Sequence, residues 1–360
     1  MTSKETASND VSSSSLGVRL AGRHNNFDLL RILAAFQVAT VHICTYLKLD
    51  GGRALQVLAV VPGVPVFFVI SGFLVSDSLE RLPLSGYALN RLLRIYPALW
   101  MSLAVAVFAA AHWGNVALWR DPGFVGWLGL QLLTGGADDP AALHGFGVGT
   151  LNGSLWTIPV ELEFYLLLPI VTVAISRSRD SLATLALFIA ASLTLTLIFG
   201  HQRTAPWAKA AAGTLAPYLY TFLLGVALRR AAGFTLRWVV GKPLLWGAIF
   251  ALVTIGLGSV GFSVRGNELN PLSSALLATV VVAIAFVHLP FRLTFDLSYG
   301  LYLYHMIVVN VLVAIGGVGS YILGLAALVF SLVLALMSWV LVEHPFLKLR
   351  YHERKRSHQD

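Results

Sequence analysis

Eleven stretches of apolar residues run along this 360-residue chain, at 27–47, 55–75, 95–113, 124–133, 155–175, 182–199, 215–228, 244–262, 272–291, 297–315 and 321–342. Most approach the roughly 20 residues that a helix needs to cross a bilayer core. The chain is 57% hydrophobic and 12% charged, against about 25% charged residues in soluble domains. A soluble fold of this length has nowhere to bury so much apolar surface. The expected fold class is an all-α integral membrane protein, with lipid as the solvent for most of the chain.

The stretch at 124–133 is too short to cross, because ten helical residues rise only about 15 Å in a core of roughly 30 Å. That leaves about ten crossings with both termini in the cytoplasm, and charge supports the count. With ten crossings the outside keeps Lys48, Arg53, Arg120, Arg203, Lys209 and Arg265, and the other 19 of the 25 basic residues lie inside. An eleventh crossing reverses every later loop, leaving 10 inside and 15 outside. Basic residues favour the cytoplasmic side, so ten crossings fit and eleven do not. The formal charge of +8 is therefore a matter of orientation, and no nucleic-acid partner is expected.

The domain reading is a disordered, Ser-rich cytoplasmic leader at 1–22, a transmembrane domain at 23–347 and a basic cytoplasmic tail at 348–360. The long external segment from about Gly114 to Ser154 is expected to hold the short apolar piece near the outer face. The single cysteine, Cys44, has no intramolecular partner and reads as a packed thiol.

Ionisable residues within membrane helices are costly and mark functional interiors. In FDLLRILAAFQVATVHICTYL, ten residues separate Arg31 from His42. On one helix that is about 16 Å of rise, placing Arg31 at the inner boundary and His42 in the outer half. An imidazole there is suited to general-base work, and a boundary arginine to holding phosphate. A helix–helix hydrogen bond and simple anchoring are the alternatives. In NGSLWTIPVELEFYLLLP, Glu161 sits at a depth similar to His42 and is expected to orient the imidazole. Glu163 points to another face, so one of the two glutamates is structural or paired to a different partner. Arg91 and Arg94, spaced i and i+3, present two guanidinium groups on one face, and Pro97 is expected within the first turns of the helix. VPVFFVISGFLV is read as a helix ending in the Ser71–Gly72 pair. LSYGLYLYH places His305 near mid-membrane with Tyr302 one turn before it, either lining a substrate site or packed as a hydrogen-bonded pair. No metal-ligand constellation is expected.

Taken in order, FDLLRILAAFQVATVH, VPVFFVISGFLV, RLLRIYP, GSLWTIPVELEFYLLLP, LSYGLYLYH and VEHPF resemble the bacterial membrane acyltransferase family 3. That family includes O-acetyltransferases of lipopolysaccharide O-antigens, exopolysaccharides and nodulation factors. The resemblance implies a multi-pass enzyme of the bacterial inner membrane. It would move an acyl group, usually acetyl, from cytoplasmic acyl-CoA to a hydroxyl of a carbohydrate or lipid-linked sugar. By motif position it implies His42 and Glu161 as catalytic residues, and Arg31, Arg91, Arg94 and Ser71 as contacts to acetyl-CoA. Trp156, Tyr302 and His305 are the expected acceptor contacts. A proton-coupled transporter or flippase of lipid-linked sugars is the competing class, since intramembrane His and Glu also serve proton relays.

Overall fold

The computed structural model describes residues 25–201, 213–261, 270–291, 293 and 295–349. The expected leader at 1–22 and the tail from position 350 onward lie outside the described residues. Among those described, every regular element is helical and no strand occurs. The helices used below are α1 Phe27–Tyr46, α2 Gly52–Leu58, α3 Gly63–Arg81, α4 Leu84–Trp113, α5 Phe124–Thr134, α6 Thr157–Arg177, α7 Ser181–His201, α8 Leu219–Arg230, α9 Pro243–Ser259, α10 Pro271–Ala285, α11 Ser298–Ala314 and α12 Tyr321–Ser338. Six spans are long and apolar enough to cross a membrane, or seven if α8 and Ala232–Val239, which meet at 75°, count as one bent span.

Proline and glycine set many of the boundaries. Pro62 and Pro83, both extended, precede α3 and α4, and Pro243 and Pro271 open α9 and α10, where a missing N–H costs nothing. Asn270 caps α10 by accepting from the Leu272 N–H at 2.9 Å. Gly135 ends α5 in the left-handed conformation, at φ 70°, and its N–H reaches Gln131 O. The eleven residues of α5 rise about 16 Å, as expected for the short apolar piece.

Two sequence expectations about helix ends are corrected. Ser71 and Gly72 sit in the middle of α3, which continues to Arg81. Pro97 is interior to α4, which begins three turns earlier at Leu84; at 30 residues this helix is about 45 Å long. Both differences arise because polar residues before and after the apolar core keep helical geometry until a proline or an extended residue stops it.

The chain divides into two compact units. The first takes the described residues of Met1–Arg31, Val60–Leu82 and Glu163–Leu293. Its central contact is a close approach of α3 and α8. A side chain added at Gly72 would meet the backbone of Phe222, and one at Gly225 the backbone of Val69. Glycine is thus required on both helices, the usual device where helix backbones touch without water to drive them together. Around this seam Phe164 stacks on Phe222 at 4.6 Å, and Phe27 packs against Phe73 and Phe286. At the charged ends of these two helices Asp77 accepts from Arg229 at 2.6 Å and pairs with Arg81.

The second unit takes Ile32–Ala59, Pro83–Leu162 and Thr294–Asp360, so far as they are described. Ile43 and Leu47 of α1 join Val309 of α11 and Ala327 of α12 in a buried cluster. Gly300 lies against the backbone of Ala335, seating α11 on α12. Cys44 is a half-buried free thiol, less enclosed than its apolar surroundings in sequence imply.

Candidate active site

Residue 42 faces the interior of the second unit because the apolar stripe of α1, with Ile43 and Leu47 buried, fixes the helix rotation. The His42 Nδ1 lies 2.8 Å from Nε2 of His305, and the two rings stack at 5.1 Å with 23° between planes. His42 is half-buried and its other edge faces Tyr46. His305 is fully buried, and its Nδ1 lies 3.0 Å from the Leu301 carbonyl one turn earlier. The partner of His42 is therefore His305, not the carboxylate of Glu161.

A glycine-rich loop fastens α11 in place. Asn310, fully buried on α11, accepts from the Val148 N–H and donates to the carbonyls of Thr150 and Leu151. Gly147, at φ 58°, passes so close to Asn310 that no side chain fits there. Farther along, Asn152 donates to Leu303 O, and the Ser154 hydroxyl donates to Tyr302 O. The Tyr302 hydroxyl shares a 2.9 Å hydrogen bond with Thr157. His305 and Tyr302 thus have their polar atoms engaged within the protein, whereas Trp156 is half-buried at the start of α6.

Arg94 is the centre of a second polar cluster in the same unit. It donates to Asp296 at 2.6 Å, has Glu343 at 3.9 Å and lies over the Tyr299 ring. Glu343 sits on a π-helical turn, Trp339–Glu343, that follows α12, and accepts from Ser338. Such turns commonly aim a side chain at a polar site. Glu161 interacts electrostatically with both Arg94 and Tyr302, so it belongs to this cluster. Glu163 accepts from the Leu215 N–H at 2.6 Å, which gives it the structural role left open by the sequence.

The remaining expected residues are more dispersed. Arg91 is half-buried one turn before Arg94 on α4. Arg31, in the first unit, pairs with exposed Asp28 at 3.0 Å. Ser71, also in the first unit, donates to the Tyr165 hydroxyl at 3.4 Å. The sequence reading missed Asn310 and the loop that it holds, although a lone Asn within MIVVNVLVA is itself a signal. Among the described residues no group of His, Cys, Asp and Glu side chains is arranged to hold a metal.

A family model described as an acyltransferase domain matches residues 24–343, a span that contains both polar clusters. The chain belongs to acyltransferase family 3. It is 33% identical over 350 residues to nodulation protein 10 of Rhizobium leguminosarum bv. viciae, covering 92% of this chain and 95% of that protein. No solved structure matches it. The protein is accordingly an acyltransferase of membrane character.

Proposed function

We propose that the protein moves an acyl group, acetyl in the simplest case, from cytoplasmic acyl-CoA to a hydroxyl of an exported or cell-envelope carbohydrate, with His42 as general base. The observation that carries this reading is a half-buried imidazole held by a second imidazole, on the same helix as Arg31 and about 16 Å along it. That rise is comparable to the pantetheine arm of coenzyme A. With the nucleotide phosphates at the Arg31 end, the thioester lies beside His42.

In the reaction, His42 takes the proton as the acceptor oxygen attacks the thioester carbonyl. The C–S bond then breaks and His42 returns the proton to the departing thiolate. Atoms and charge balance without any other reactant. Arg31 is proposed for the phosphate role from its place on the helix, where its partner Asp28 is exposed. Arg91 is assigned to the same role. Arg94 and Glu161 are better read as members of a polar cluster that shapes the site, and Ser71 is kept as a donor contact. Trp156 offers an aromatic face for a sugar ring. Tyr302 and His305 support the site from behind.

We assign ten crossings with cytoplasmic termini in a bacterial inner membrane. Six long helices together with α8, α9, α10 and α11 make ten without α5, and the basic residues divide in favour of that orientation. The similarity to a bacterial nodulation protein supports a surface or nodulation-related substrate.

The test is transfer of radiolabelled acetyl from acetyl-CoA in membranes containing wild type or His42→Ala, matched for expression, with extracted envelope glycans as acceptors. Label transfer that depends on His42 is expected. Equal transfer by both proteins would remove His42 from the chemistry.

A further inference from the structure

We propose that His305 is a positioning residue that holds His42 as the tautomer protonated on Nδ1, leaving the Nε2 lone pair of His42 as the one that takes a proton. Only the use made of that lone pair rests on the acyl-transfer reading. The tautomer follows from three neighbouring atoms.

The Leu301 carbonyl has no proton to give, so His305 Nδ1, 3.0 Å away, must carry the hydrogen and donate it. A neutral imidazole has one N–H, which makes His305 Nε2 an acceptor. His42 Nδ1, at 2.8 Å from it, must then be the donor. The second nitrogen of His42 is left with its lone pair. In water histidine favours the opposite tautomer, so this is an arrangement imposed by the fold.

A protonated His305 would reverse the argument, but its surroundings oppose one. The ring is fully buried, its hydrogen-bond partners among the described residues are the backbone of Leu301 and Tyr302 and the His42 ring, and no carboxylate is hydrogen-bonded to it there. A buried imidazolium without a counter-charge is strongly disfavoured. The ring cannot swing away either, because the hydrogen bonds of Asn152, Ser154 and Asn310 with the loop pin α11 on both sides of position 305.

This arrangement differs in kind from an imidazole oriented by a carboxylate. When His42 accepts the hydroxyl proton on Nε2, its Nδ1–H goes on donating to His305. The proton then leaves from Nε2 to the thiolate. His305 stays neutral throughout and takes no proton itself, and the positive charge that His42 then carries is balanced first by the oxyanion of the attacked thioester and then by the departing thiolate.

The test uses the full chain in lipid nanodiscs with nitrogen-15-labelled histidine, the His42 signals being those lost in His42→Gln. Wild type should show His42 protonated on Nδ1 and bare on Nε2; a spectrum with the proton on Nε2 overturns the proposal. His305→Leu cannot accept and should release His42 to the Nε2–H form, whereas His305→Gln, whose Oε1 stands near the lost Nε2, should retain the Nδ1–H form. In turnover, His305→Leu should lower kcat about 10²-fold with little change in KM, and His305→Gln should recover most of that loss. Equal losses in two folded variants would also overturn the proposal. If His305→Leu fails to fold, the wild-type spectrum still decides. Should the spectrum agree while the protein acylates no acceptor, the tautomer stands and the acyl-transfer reading fails.

Discussion

Arg94 donates to Asp296 across 2.6 Å and has Glu343 3.9 Å away, so its charge is matched by carboxylates of the same unit. A buried pair that loses one partner leaves an uncompensated charge, typically at a cost of about 3–5 kcal/mol. Arg94→Gln is expected to lower thermal stability in detergent by an amount of that order, and Arg94→Gln combined with Asp296→Asn to regain part of it. If Arg94→Gln instead keeps its melting temperature and raises only the KM for acyl-CoA, Arg94 is a phosphate ligand after all.

The seam between α3 and α8 should be the least tolerant packing site in the first unit. A methyl group at Gly72 collides with the Phe222 carbonyl, and one at Gly225 with that of Val69. Backbone atoms cannot step aside as a side chain can. Gly72→Ala and Gly225→Ala are each expected to destabilise by about 1–3 kcal/mol or more, seen as early loss of the monodisperse peak after heating. Gly126→Ala serves as the comparison, since nothing lies within 4 Å of the position a side chain would take. Equal heat resistance in all three variants would show that the two helices separate readily.

Much of this site was legible in the sequence, and the limit of legibility has a physical cause. The spacing of Arg31 and His42 lies on one helix, whose rise is fixed, so their separation needed no tertiary information. Pairing His42 with Glu161 used depth alone. Depth is one coordinate of three, and the rotation of each helix about its axis and the choice of neighbour come from packing. Depth favoured Glu161, read at the level of His42, over His305, read near mid-membrane, and packing brought His305 to His42 instead. The interior position of Pro97 was hidden for a related reason: the turns before it are polar, and hydropathy does not separate a helix that leaves the membrane from a loop.

Asn310 is expected to control the order of the glycine-rich loop that it holds. Replacing it by Leu leaves the Val148 N–H and the Thr150 and Leu151 carbonyls without their partner, and each buried unsatisfied group costs about 1–3 kcal/mol. The loop should open before the helices do. Limited proteolysis of Asn310→Leu is expected to cut within 140–156 at temperatures where wild type is resistant. A cleavage pattern unchanged from wild type would mean that Asn152 and Ser154 hold the loop unaided.

Asp139, in the loop after α5, should give the protein a pH-dependent stability that one substitution removes. Burial pushes its carboxyl above the ordinary carboxylate range, opposed in part by the Leu151 N–H that it accepts at 2.6 Å. A folded-state pKa above the unfolded value means that the folded protein binds this proton more tightly. The resulting contribution to stability is present below the ordinary value of about 3.9 and is lost as pH rises through the raised folded value. Asp139→Asn keeps an oxygen for the Leu151 N–H but has no proton to lose. The melting temperature of Asp139→Asn minus that of wild type, followed upward from pH 4, should therefore increase across that window and then level off. A difference that stays constant with pH would place the ionised carboxylate in water and contradict its burial.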